Sequence, residues 1–210
     1  MNKKIVYLII ALAMIVPAVI LFSGRPAEYA ELRDGPHLLG SPESSVVLVE
    51  YCDFNRPVCR QDYPVIKELL SQSGDKFRFE YRHLIKSNAG SLALTSAEAS
   101  ECAADQGKFW EYAELLYAQE DSGKVKLEDL ASGLPELDLE IWRDCLKSDI
   151  KLTRVREDIL EAEQAGYQET PIFILNGLLI KNSADLSWQI NSLLEPVKAV
   201  PEAAASSLNL

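Results

Sequence analysis

The sequence predicts an α/β domain, on three observations. VVLVEY (Val46 to Tyr51) is a short, β-branched apolar run of the kind that forms a central strand covered on both faces. After a stretch with helical spacing, Phe77, Phe79, Tyr81 and His83 alternate with Arg78, Glu80 and Arg82, which is the period of a second strand. Towards the C-terminus the apolar runs PIFIL and LLI flank Asn176-Gly177, a strong local hairpin signal. The first two observations give a β-α-β unit with parallel strands and a right-handed crossover. The third adds an antiparallel ribbon.

In chain order, Lys3 and Lys4 precede Ile5 to Phe22, which carries no charged residue and is near the lower length limit for a membrane-spanning helix. Residues 1–23 therefore read as an N-terminal transmembrane anchor. The alternative is a cleaved signal segment, although no small-x-small cleavage pattern follows. Either reading leaves the lysines inside and puts the rest of the chain in the periplasm or at the cell exterior, secreted if the segment is cleaved.

Residues 24–44, with Gly, Pro and Ser, are expected to be a linker, and residues 45–195 the domain. Pro57 suits the first turn of a helix, where its missing N–H costs nothing. Val58, Ile66, Leu69 and Leu70 follow at helical spacing, and Gly74 ends the helix. A helical block spans about residues 90–150. Within it LDLEIWRDCLKS places Leu139, Trp142 and Leu146 on one face, with Asp138 as N-cap. Leu152 to Ala165 is another helix, closed by Gly166. Pro171 stands at the entrance of the hairpin. Asp185 to Leu194 is a last helix, stopped by Pro196, and residues 196–210 read as a flexible tail.

The 210 residues are 48% hydrophobic and 25% charged, enough for one globular domain with attachments. The net charge of -11, with no competing basic run, argues against nucleic-acid binding. Cys52, Cys59, Cys102 and Cys145 are an even set suited to an oxidising compartment, with three possible pairings. Cys102 and Cys145, both on predicted helices of the block, read as a structural disulfide, the alternative being two free buried thiols. With His37 in the expected linker, His83 ending a strand and no C-x-x-C pair, neither a metal nor another cofactor is expected.

Four blocks in order carry a resemblance: VVLVEYCDFNRPVCRQDYPVIKELL, FEYRHL, AEASECAADQGKFWEYAELLY and GYQETPIFILNG. Together they resemble the DsbA-like thioredoxin-fold family of extracytoplasmic thiol–disulfide oxidoreductases, over about Gly40 to Leu194. The resemblance implies a thioredoxin fold with an inserted helical block. It also implies a cis peptide at Pro171 and a substrate loop at Thr170 and Pro171, with Arg56 and Pro57 as further substrate-binding residues. The family's usual motif is E-[FY]-x-D-F-x-C-P-x-C, and its first, nucleophilic cysteine is Arg56 here.

Arginine cannot attack a disulfide, and a cation at the positive end of a helix favours an anionic neighbour. By resemblance Cys59 matches the resolving cysteine, and Glu50 the acid that accepts its proton. Three readings of Cys59 stay open: a small buried hydrophobe, a thiol activated by Arg56 and the helix terminus, or one half of a rewired disulfide with Cys52. Glu50 is either that proton acceptor or an acid whose end reaches water or a base.

The function implied is thiol–disulfide exchange or isomerisation with Cys59, alone or with Cys52. The rivals are a redox-inactive peptide binder or chaperone that keeps the proline edge, and an accessory subunit in which Arg56 docks an acidic group. The partners implied are unfolded or cysteine-containing extracytoplasmic proteins and a membrane redox partner.

Overall fold

A computed structural model of the protein describes residues 37–119, 125–181 and 183–194. The expected anchor, residues 1–23, and the expected tail, 196–210, lie outside the described residues. Among the described residues no helix is long and apolar enough to cross a membrane.

Among the described residues the sheet has five strands: β1 (His37–Gly40), β2 (Val46–Cys52), β3 (Phe77–His83), β4 (Ile172–Leu175) and β5 (Leu178–Ile180). Their spatial order is β1-β3-β2-β4-β5. Strand β2 is central, parallel to β3 and antiparallel to β4. Helix α1 (Pro57–Ser73) makes the crossover from β2 to β3. The helical block contains α2 (Ser91–Ala104), α3 (Phe109–Tyr117), α4 (Leu127–Ser132) and α5 (Leu139–Lys147). Helices α6 (Leu152–Gln164) and α7 (Leu186–Leu194) bracket the closing hairpin.

The hairpin is built as its sequence requires. Asn176 and Gly177 both have positive φ, 47° and 80°, the geometry of a type I′ turn. Asn176 also stitches the turn to β2: its N–H donates to the Val47 carbonyl, and its side-chain oxygen accepts from the Val47 N–H, each at 2.8 Å. Asp138 caps α5 by accepting from the backbone N–H of Glu140 and Ile141. Trp142 is buried against the core and donates its indole N–H to Ala99 at 2.9 Å, joining α5 to α2.

Two sequence expectations change. Part of the expected linker is β1, which pairs antiparallel with β3 from His37 opposite Tyr81 to Gly40 opposite Arg78. Four residues are too few to show a strand period, so only the long-range pairing defines this edge. Gly40 is needed there: its φ is 86°, and a Cβ would come within 2.2 Å of the Phe77 carbonyl oxygen. The buried face of α1 also differs. Val58 is 41% exposed, and Cys59, Tyr63, Ile66 and Leu69 face the sheet instead. The helix is rotated so that its first sulfur, rather than its first valine, points inward. Fully burying each aliphatic or aromatic side chain contributes about 1.5–3 kcal/mol, so this face anchors the start of α1 firmly.

Candidate functional site

Successive strand residues point to opposite faces. Leu48, Glu50 and Cys52 therefore share the face of β2 that α1 covers, and they meet Cys59 there. Cys52 and Cys59 are joined in a disulfide with their Cα atoms 6.0 Å apart. Both residues are 0% exposed. The backbone locks the pair in place. The Cys52 carbonyl accepts from the Tyr81 hydroxyl and from the Leu84 N–H, both at 2.9 Å. The Asp53 N–H points to Cys59 Sγ at 3.4 Å.

The turn between β2 and α1 follows from local chemistry. The Asp53 side chain accepts from the Asn55 N–H at 2.8 Å, and the Asp53 carbonyl from the Arg56 N–H at 2.9 Å. Arg56 is then the N-cap residue of α1, extended and without a capping side chain. It is half-buried, and Pro57 beside it is exposed. Among the described residues no carboxylate comes within ion-pair distance of the Arg56 guanidinium, and its Nε is buried without a hydrogen-bond partner. Arg56 lines a cleft of about 400 Å³ with Asp53, Asn55, Lys86, Asn88 and Gly90. Lys86 is held by Glu169 at 2.6 Å.

The Thr170–Pro171 peptide is cis. Ile172 pairs with Tyr51, so the antiparallel register carries Pro171 and Thr170 to the end of β2, level with Cys52. Thr170 is buried, and its hydroxyl oxygen has no partner among the described residues. The sequence-predicted residues Glu50, Cys52, Arg56, Pro57, Cys59, Thr170 and Pro171 therefore gather at one end of the sheet. Cys102 and Cys145 are bonded elsewhere, between α2 and α5, with Cα atoms 5.8 Å apart.

Glu50 is 0% exposed, and among the described residues neither carboxyl oxygen has a hydrogen-bond partner. Burial, and then the neighbouring Asp62 carboxylate, raises its pKa well above the usual value. The folded chain thus keeps a proton that the unfolded chain releases near pH ~4.3. Stability from this group is complete below that pH and is lost as pH rises towards the folded pKa. Glu50→Gln keeps the shape and has no proton to lose. Its stability relative to wild type is expected to improve steadily as pH rises from about 4 to 8. Urea unfolding across that range reads the trend, and a difference independent of pH contradicts it.

Among the described residues, two groups bring metal-ligating atoms together within 4.8 Å. One is Glu50, Cys52 and Cys59; the other is His37, His83 and Glu101. In the first, the sulfurs are bonded to each other and offer no thiolate. The second was hidden in the sequence, where His37 reads as linker. Strand β1 carries it to within 2.8 Å of Glu101.

A family model described as thioredoxin matches residues 33–192. Among curated proteins, the Na(+)/H(+) antiporter NhaA 1 of Salinispora arenicola is 36% identical over 146 residues, 69% of this chain and 22% of that protein. An NhaA antiporter of Herminiimonas arsenicoxydans is 31% identical over 151 residues, 71% of this chain and 24% of that protein. The chain thus spans about a quarter or less of the length of these two relatives. Among solved structures, oxidised BdbD from Bacillus subtilis superposes with a TM-score of 0.66 at 22% identity, covering 77% of this chain and 94% of that one. DsbA2 of Pseudomonas aeruginosa gives 0.65 at 23% identity, covering 80% and 98%.

Proposed function

The chain belongs to the thioredoxin family with a DsbA-like fold, and from that premise we propose that it binds cysteine-containing or unfolded polypeptides outside the cytoplasm, with Cys52–Cys59 as a sealed internal disulfide. The binding face is formed by Arg56, Pro57, Thr170 and Pro171. Residues 1–23 tether the domain, residues 45–195 with its preceding edge strand, to the membrane. Cys102–Cys145 acts as a structural staple of the helical block.

One observation carries this reading: both sulfurs of the pair belong to residues with no exposed surface, while the outward position at the start of α1 is an arginine. Exchange requires a thiolate to approach one sulfur of a disulfide directly. Arg56 instead offers a guanidinium with no carboxylate partner among the described residues, suited to an acidic or carbonyl-rich stretch of polypeptide.

A second reading is that the pair still turns over after local opening, and Glu50 favours it. A substrate thiolate would attack one sulfur, the Cys52–Cys59 bond would break, and the departing thiolate would take the proton held on Glu50. A second substrate thiolate would then resolve the mixed disulfide. The substrate would leave oxidised and the pair reduced.

A labelled polypeptide whose cysteines are reduced and alkylated separates the two readings, because it cannot exchange. Binding by fluorescence anisotropy, weakened about tenfold or more by Arg56→Ala, is expected. No binding, together with disulfide exchange that Cys59→Ser abolishes, would overturn the binding reading in favour of the second.

A further inference from the structure

Both histidines of the chain converge on one oxygen atom. His37 lies on β1, His83 is the last residue of β3, and Glu101 sits in α2. His37 Nε2 is 2.8 Å and His83 Nε2 is 2.9 Å from Glu101 Oε1. The three residues are 8%, 0% and 0% exposed. Glu101 Oε2 is buried with no partner among the described residues.

We propose that His37, His83 and Glu101 bind one zinc-like divalent transition-metal ion that clasps β1 to the body of the domain.

The donor set selects the ion class. Two imidazole nitrogens and a carboxylate suit zinc and its neighbours, whereas calcium and magnesium take mostly oxygen. Donor atoms all within 4.8 Å of one another can surround an ion at about 2.0–2.2 Å from each after sub-ångström adjustment. The unpartnered Oε2 can supply the fourth contact, so the buried site closes without needing a water. The cysteines do not compete, since all four are bonded in disulfides.

Charge points the same way. A buried carboxylate needs a compensating cation. The nearby Arg154 guanidinium is ion-paired to Asp158 and acts on Glu101 only through space, with no direct bond to it among the described residues. A purely hydrogen-bonded cluster would satisfy Oε1 twice and leave Oε2 with nothing. The ion would act through position: His37 is fixed to the core by its ring contacts, stacked on Phe109, and by this site, so metal loading would set how firmly the edge strand closes the sheet.

The test uses the full chain in detergent, with both disulfides closed and metal removed by chelator. Cobalt(II) and zinc(II) are then added alone. The expected result is one cobalt per chain, with visible ligand-field absorption and no thiolate-to-metal charge-transfer band, displaced by zinc. Zinc should also raise Tm. His37→Gln, on the edge strand, leaves the His83–Glu101 contact and the fold in place and is expected to weaken zinc binding about 10²-fold. His83→Gln and Glu101→Gln report the same loss where they fold. If the wild type takes up no metal at micromolar concentration, the three residues are a hydrogen-bonded cluster only and the proposal fails. It fails equally if uptake is unchanged in His37→Gln.

Discussion

Arg56→Cys combined with Cys52→Ala is expected to make the domain an efficient disulfide reductase. The rate of model-disulfide reduction, with a dithiol as electron source, should rise about 10²-fold or more over wild type. The exchange puts a thiol at the N-cap of a 17-residue helix. There the free N–H groups and the positive end of the dipole lower a thiol pKa into the range of about 3.5–7.5. Cys59, released from Cys52, lies three residues on as the resolving thiol. The turn made by Asp53 and Asn55 already holds that position in an extended conformation. A folded double variant with only background activity would show that this face lacks the surroundings exchange needs.

The second large effect concerns stability. Cys102→Ala with Cys145→Ala opens a link spanning 43 residues between α2 and α5. The expected loss is about 2–4 kcal/mol, read as a lower urea midpoint with an unchanged m-value. Alanine is the better replacement because Cys102 is buried, where a serine hydroxyl would add its own cost. The Trp142 indole bond to Ala99 would then be the nearest remaining tie between the two helices. A midpoint within error of wild type would mean that core packing alone holds the block.

Much of the scaffold was legible because its signals are local. Asn176-Gly177 demands positive φ twice, Asp138 precedes an amphipathic run, and VVLVEY is apolar on both faces except at Glu50, as suits a central strand. The gathering of Glu50, Cys52, Cys59, Thr170 and Pro171 followed from motif order along a recognisable fold. What stayed hidden depends on pairing across distance. HLLG has no period of its own and becomes β1 only against β3. His37 then lands on Glu101, 64 residues away, which no spacing rule announces. Helical spacing alone admits Val58 or Cys59 on the inner face of α1; Cys59 is buried there, and Val58 lies outside. On that face Cys59 sits with Tyr63, Ile66 and Leu69, and it bonds Cys52, two residues beyond Glu50 on the covered face of β2.

The central claim is that the Cys52–Cys59 disulfide is sealed from solution, and native-state reduction tests it most directly. The folded chain would be exposed to an external thiol, then alkylated, and labelling at Cys52 and Cys59 followed by mass spectrometry with and without urea. The account predicts no labelling of either cysteine in the native protein over a time in which the urea-unfolded chain is labelled completely. Native labelling as fast as that of a surface disulfide would contradict it.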